Sequence, residues 1–417
     1  MDDLGVRRRK PIHDTATIPD QRPERSNFSG FKVVVGTCFT LFLAVAALLA
    51  AVWIFVDSPI EPLSFRYPDC PSLVGPLNLN DKLQHAEHLF EGKLVGAESI
   101  ATIGDIFYTG TADGKIIKID NGKLSTIATL GTPPCGQPEH EPNCGRPLGL
   151  CASALGKLFV VDAYLGVFEV DPNTGETAVL VPATLMVEGQ KFGFLNDLTI
   201  LDNGSKIYFT DSSSRWQRQH NCFLVMEGTC DGRLLEYDVN TKITHVLLSG
   251  LCFANGVELS PAEDHILVCE TTMARIIRYY IKGKKKGQHE VFAENLPGLP
   301  DNISPSSFGG YWVGLATVRS REAFSIVDLL APHPWLKKLM FKLFSQEFVM
   351  RFTSRHGLVL ELGPDGHIRR SLHDASGTSV SSISEVCEHG FRIPWKMLEC
   401  ESCLFRFWYF LFACFLF

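Results

Sequence analysis

Residues 196–214 read NDLTILDNGSKIYFTDSSS. A short strand-like run comes first. An Asp-Asn-Gly turn follows, then a second strand, IYFT, that ends in small polar residues. β-Branched and aromatic residues suit the pleated backbone, and Asn-Gly supplies the positive φ of a tight hairpin. The pattern recurs on both sides, in ESIATIGDIFYTGTADG (98–114), RPLGLCASALGKLFVVDAY (146–164), NGVELSPAEDHILVCETT (255–272) and DNISPSSFGGYWVGLAT (301–317). Starts at 98, 147, 196, 255 and 301 leave intervals of 49, 49, 59 and 46 residues. Most units run on into a third and fourth strand, as in GRLLEYDVNTKITHVLLSG (232–250). Four-stranded units at this period are propeller blades, each unable to bury its faces alone. A sixth start, SSISEVCEHG (381–390), makes the expected fold class all-β, a six-bladed β-propeller. The segment AEHLFEGKL (86–94) is expected as the outer strand of the last blade, which closes the ring and removes an exposed edge.

The rest of the 417 residues frames this domain. Apolar residues make up 45% and charged residues 20%, which excludes wholesale disorder. A net charge of −7 argues against nucleic acid as a partner. Val33 to Val56 holds 24 residues without a charge, enough to span a bilayer core of about 30 Å. A cleaved signal peptide would have a shorter apolar core nearer the terminus. Arg7, Arg8, Arg9, Lys10, Arg22, Arg25 and Lys32 precede the run, and Asp57 and Glu61 follow it. The positive-inside bias therefore predicts a type II single-pass protein of the plasma membrane or endoplasmic reticulum, with the propeller lumenal or extracellular. The expected plan is a cytosolic basic tail (1–32), a transmembrane signal anchor (33–56), a linker (57–85), the propeller (86–390) with an inserted segment at 318–356, and an atypical apolar tail (391–417).

An oxidising compartment permits disulfides among the 13 cysteines. Cys135 and Cys144 flank a Pro-rich loop and are expected to pair. Cys222 and Cys230 bracket a second short segment and are a second candidate pair. Cys151, Cys252 and Cys269 lie in apolar runs and read as buried free thiols. Of the sequons at Asn203 and Asn302, Asn203 lies in a turn and is the better glycosylation acceptor.

The first strand of each propeller blade lines the central channel, so Glu98, Leu148, Asn196, Asn255, Asp301 and Ser384 are expected to converge on the axis. Two carboxylates and two amides suit a hard cation such as Ca²⁺, and the set lacks the Cys/His content of a zinc site. Each of these residues taken singly is more often a turn residue. Their equivalent places in the repeat favour the site.

The stretches CGRPLG (144–149), NDLT (196–199), YFTDSSSRW (208–216), VMEGTCDGRLLEYD (225–238), NGVELSPAED (255–264), ETTMARI (270–276), PGLPDNISPSSFGGYWVG (297–314) and FKLFSQE (341–347) resemble the strictosidine synthase-like family over roughly residues 60–390. The resemblance implies a six-bladed propeller related to paraoxonases and to calcium-dependent phosphotriesterases and lactonases. It implies a central Ca²⁺ on Glu98, Asn196, Asn255 and Asp301, with Asn302 adjacent, and it also implies the Cys135–Cys144 bridge. Three departures stand beside it. Leu148 occupies the place of the paraoxonase catalytic histidine. Ser384 occupies the place of the strictosidine synthase glutamate, with Glu385 one residue off, so amine–aldehyde condensation is not expected. The ending FRIPWKMLECESCLFRFWYFLFACFLF replaces the two strands that finish the last blade in relatives, and only the inner strand and the N-terminal outer strand are expected there.

In the insertion, Trp335, Leu336, Leu339, Met340, Leu343 and Phe344 recur at helical spacing, with Lys337, Lys338 and Lys342 on the other side. Such a helix lies on a membrane surface, covers the channel mouth as a lid, or packs on the propeller with its charged face in water. Two function classes follow. One is a calcium-dependent hydrolase of small apolar aryl esters or lactones, with Asp301 as nucleophile or general base. The other is a membrane-displayed binding or scaffold propeller, with membrane lipid contacted through the anchor and residues 334–344.

Overall fold

Five of the repeats fold as four-stranded antiparallel meanders around a common axis, in a computed structural model that describes residues 28–321, 324–388, 396–401 and 409–415. Their inner strands are Ile100–Ile103, Pro147–Ala152, Leu195–Ile200, Ala254–Leu259 and Gly298–Ser306. Each packs against the inner strand of the next blade. Strand alternation turns one row of side chains to each neighbouring blade. Phe159, Val161 and Val167 of the second blade thus meet Leu195, Leu198 and Phe209 of the third in one buried cluster. Equivalent clusters fill the gaps between the third and fourth and between the fourth and fifth blades.

The expectation of six like blades is corrected to five. The sheet that closes the ring has the order Glu87–Leu89, Lys396–Glu401, Tyr409–Phe415, Ser382–Glu388. Its inner strand, Ser382–Glu388, pairs parallel with Tyr409–Phe415, and Glu87–Leu89 pairs parallel with Lys396–Glu401. A meander requires antiparallel neighbours joined by short turns. Here the chain reaches Tyr409 only after passing through Lys396–Glu401, so the order is crossed. The N-terminal segment does supply the outer edge, but the tail contributes two strands where none was expected.

Residues up to Val56 and residues from Asp57 form separate units. The first holds the helix Phe28–Phe55, whose stretch Lys32–Phe55 is long and apolar enough to cross a bilayer. In the second, residues 60–85 lie against the propeller. Ile60 and Leu83 are buried, and the Tyr67 hydroxyl donates to the Thr272 carbonyl at 2.6 Å.

The described residues of the insertion form the short helices Ile326–Leu330, Pro334–Leu343 and Gln346–Met350. Its expected amphipathic split is corrected in part. Lys337 is buried, and its ammonium donates to the Leu63 carbonyl at 3.0 Å and sits over the Phe65 ring. Phe341 joins a buried cluster with Ile60, Cys222 and Met226, while Trp335, Leu343 and Phe344 face outward. Cys135 and Cys144 are bonded as expected. The candidate pair Cys222–Cys230 is not formed. Cys230 is bonded to Cys252, read from the sequence as a free thiol, and Cys222 is a buried free thiol.

Candidate functional site

Four inner strands begin with the same irregularity. Pairing with the second strand skips Leu148-Gly149, Asn196-Asp197, Asn255-Gly256 and Asp301-Asn302, so that two residues of the inner strand face one of its partner. A bulge of this kind leaves residues out of the ladder and re-aims their side chains. The bulges also nest on one another. A Cβ on Gly256 would lie 2.5 Å from Asn302 Cα and 2.7 Å from the Asp301 carbonyl, and one on Gly149 would lie 2.4 Å from Asp197 Oδ1. Glycine at these two places lets adjacent inner strands approach at the axis.

The bulged residues are buried and joined by hydrogen bonds. Asn255 Nδ2 donates to Asp301 Oδ1 at 2.7 Å and to Thr271 Oγ1 at 3.1 Å, and the Thr271 hydroxyl donates to the Pro300 carbonyl. Asn302 Nδ2 donates to the Glu98 carbonyl at 3.3 Å. Arg146, itself buried, reaches Glu98 Oε2 at 3.4 Å. Two amide oxygens, Asn255 Oδ1 and Asn302 Oδ1, are buried with no hydrogen-bond partner among the described residues. Burial drives the Asp301 pKa well above the carboxylate range, the Glu98 charge adds to this, and the bond from Asn255 partly offsets it.

Glu98, Asn196, Asn255 and Asp301 line one pocket, while Asn302 stands behind it against the Glu98 backbone. Leu148 packs with Phe194, Leu224 and Phe253 beside the pocket. Among the described residues no group of three or more His, Cys, Asp or Glu side chains is arranged to hold a metal ion. Any cation here would rest on amide oxygens as well as carboxylates. Asn203 is exposed in its turn, and Asn302 is buried.

Apolar side chains wall the pocket above this polar floor, among them Phe194, Val225, Met226, Phe253 and Leu299. Val225 and Met226 come from the helix Asn221–Glu227, inserted between the second and third strands of the third blade. Val327, Met350 and Thr353 come from the 318–356 insertion, which therefore covers the pocket as a lid would. A second, more polar chamber adjoins at Arg218, Asn221, Cys222 and Met350. Arg218 Nη1 donates to the buried Glu141 at 2.8 Å, and the Tyr164 hydroxyl donates to the other Glu141 oxygen at 2.8 Å. Glu141 opens the short helix that ends at Cys144, so the Cys135–Cys144 bond helps to fix this clamp. Among the described residues His220 is the one histidine bordering either chamber, and burial lowers its pKa.

Reading the sequence missed a second group of acids. Asp197 lies close enough to Glu258 and to Glu385 for their charges to interact. Glu258 and Glu385 keep some accessible surface, yet protein encloses them. Burial pushes Asp197 up to about 7 and Glu258 to about 8, and raises Glu385 well above its usual range. The Glu385 carboxylate accepts the Ile100 amide at 2.7 Å, which joins the closing sheet to the first blade. The signal was an acid on the inner strand of three repeats, but its offset from the strand start depends on the bulge.

A profile of the family described as strictosidine synthase matches residues 196–284. An adipocyte plasma membrane-associated protein of Gallus gallus is 51% identical over 92% of this chain and 94% of its own length. A strictosidine synthase-like protein of Arabidopsis thaliana is 32% identical over 80% of this chain and 88% of its own length. Among solved structures, a gluconolactonase of Xanthomonas campestris superposes with a TM-score of 0.43 at 16% identity, covering 63% of this chain and 84% of that one.

Proposed function

Since the chain belongs to the strictosidine synthase-like family of the adipocyte plasma membrane-associated proteins, we propose that it is a membrane-anchored, calcium-dependent hydrolase of aryl esters or lactones. One observation carries this reading. Two buried carboxylates, Glu98 and Asp301, and the amide of Asn255, with its unpartnered oxygen, meet on the floor of an apolar pocket.

Oxygen donors of this kind fit Ca²⁺, which takes about six to eight of them. Glu98, Asn196, Asn255 and Asp301 would hold the ion, with Asn302 behind them. Burial, with the Glu98 charge adding to it, favours the protonated form of Asp301, and a divalent cation would favour the carboxylate instead. Bound there, calcium would polarise the ester carbonyl and offset the charge that develops on its oxygen. Asp301 acts as general base, taking a proton from the attacking water and returning it to the departing alkoxide or phenoxide. Asn255 Nδ2 orients that carboxylate. Phe194, Phe253 and Leu299 receive the apolar part of the substrate and keep bulk water out.

The site's scaffold is a ring of six positions, the sixth held by the closing sheet, whose Ser384 stands beside Asp301. The propeller is lumenal or extracellular, and Asn203 carries a glycan. The test is phenyl acetate hydrolysis by the full chain in lipid nanodiscs, with and without a calcium chelator, beside Asp301→Asn. Chelation and the substitution should each cost at least about 100-fold in turnover while circular dichroism is unchanged. Equal rates in folded wild type and variant would instead favour a binding propeller.

A further inference from the structure

We propose that the outward face of the 318–356 insertion rests on the surface of the bilayer that the apolar helix enters, and so brings the outer chamber to the membrane. The face is aromatic. Phe344 and Phe348 stack with ring centres 4.6 Å apart, and Phe352 meets Phe348 edge-on at 5.4 Å. Phe344 is 44% exposed, Phe352 49% and Trp335, on the preceding helix, 58%. A ladder of stacked rings left in water is costly, at about 25 cal/mol for each Å² of apolar surface.

The charge on the same run matches a lipid interface. From Pro334 to Arg355 there are five cations, Lys337, Lys338, Lys342, Arg351 and Arg355, and one acid, Glu347. Lys337 is buried inward, and Glu347 lines the outer chamber. Lys338 pairs with Glu61, and the Arg351 guanidinium lies 5.9 Å from the Phe348 ring centre. Aromatic rings at headgroup depth, with long basic side chains reaching past them, are how interfacial helices sit.

Connectivity selects a bilayer over another partner. The chain leaves the apolar helix at Phe55, and Ile60, five residues on, is already buried in the cluster that holds Phe341 of the insertion. The Phe65 amide then donates to the Ala331 carbonyl, and Lys337 holds the Leu63 carbonyl. Five residues of chain reach at most about 17 Å. The outer chamber is lined by Phe348 and Arg351 of this same face.

The test needs no activity, so its failure is separate from failure of the hydrolase reading. In the full chain in phosphatidylcholine nanodiscs, a benzophenone side chain replaces Phe348, Phe352, Phe42 or Leu155 in turn, and adducts are identified by mass after irradiation. Phe42 lies in the apolar helix and reports lipid contact. Leu155 is exposed in the turn between the first two strands of the second blade, away from the bulged end, and reports bulk solvent. Lipid adducts at Phe348 and Phe352 are expected at least about tenfold above those at Leu155. Lipid capture at Phe42 with none at Phe348 and Phe352, or protein adducts there in place of lipid, would overturn the proposal.

Discussion

At Gly256 a missing methyl group decides where Asp301 stands. A side chain there must push the neighbouring bulge, whose Asn302 Cα and Asp301 carbonyl lie within 2.7 Å of a Cβ. Gly256→Ala is expected to cost about 1–3 kcal/mol in stability, as other overpacked positions do, and to lower turnover through Asp301. Chemical denaturation and the ester assay read the two effects. His373 offers a second test. It is buried against His356 at 2.8 Å, and its far nitrogen meets the Ser371 hydroxyl at 2.7 Å. Burial and the His356 charge depress it from 6.5 to about 4, while Asp374 pulls the other way on His356. Between those values the unfolded chain binds more protons, so stability is intact above about pH 6.5 and is lost as pH falls towards 4. The loss should be on the order of 2–3 kcal/mol, and His373→Gln should flatten that part of a stability–pH curve.

Elements are tied together by buried charge as much as by packing. Asp211 closes the second strand of the third blade and accepts the Gly193 and Phe194 amides. Arg233, on the third strand, meets it at 2.6 Å and also holds the Val187 and Lys191 carbonyls of the small hairpin Met186–Val187 and Gln190–Lys191. Burial lifts Asp211 to about 6 against the pull of Arg233. Arg233→Met leaves that carboxylate uncompensated and should cost about 3–5 kcal/mol. Arg233→Met combined with Asp211→Leu should recover most of the loss, and non-recovery would mean that the hairpin carbonyls matter more than the ion pair. The consequence reaches the site, because Phe194 is both anchored here and a pocket wall. The insertion shows why periodicity alone misplaced a face. Helical spacing put Lys337 in water, but residues 60–67 pack across that side and supply a carbonyl and a ring for the ammonium.

Ring closure belongs to the whole molecule. The closing sheet leans on strands from the tail, and Glu385 bridges it to the first blade. Removing residues after Glu388 strips the parallel partner from Ser382–Glu388 and should lower the thermal midpoint by at least about 5 °C. An unchanged midpoint would mean that the tail strands contribute nothing to closure. The repeat, the inner strands and the residues that open them were legible because each depends on local order, with turn residues at fixed offsets and apolar residues alternating along a strand. Glu98, Asn196, Asn255 and Asp301 could be named for that reason. The apolar helix and the Cys135–Cys144 pair were legible in the same way, being short-range. The bulges, the acids Asp197, Glu258 and Glu385, the Cys230–Cys252 bond and the crossed closing sheet were settled only in three dimensions. Each depends on which surface a distant segment presents, and burial, register and pairing across the ring are properties of that packing and not of neighbours in the chain.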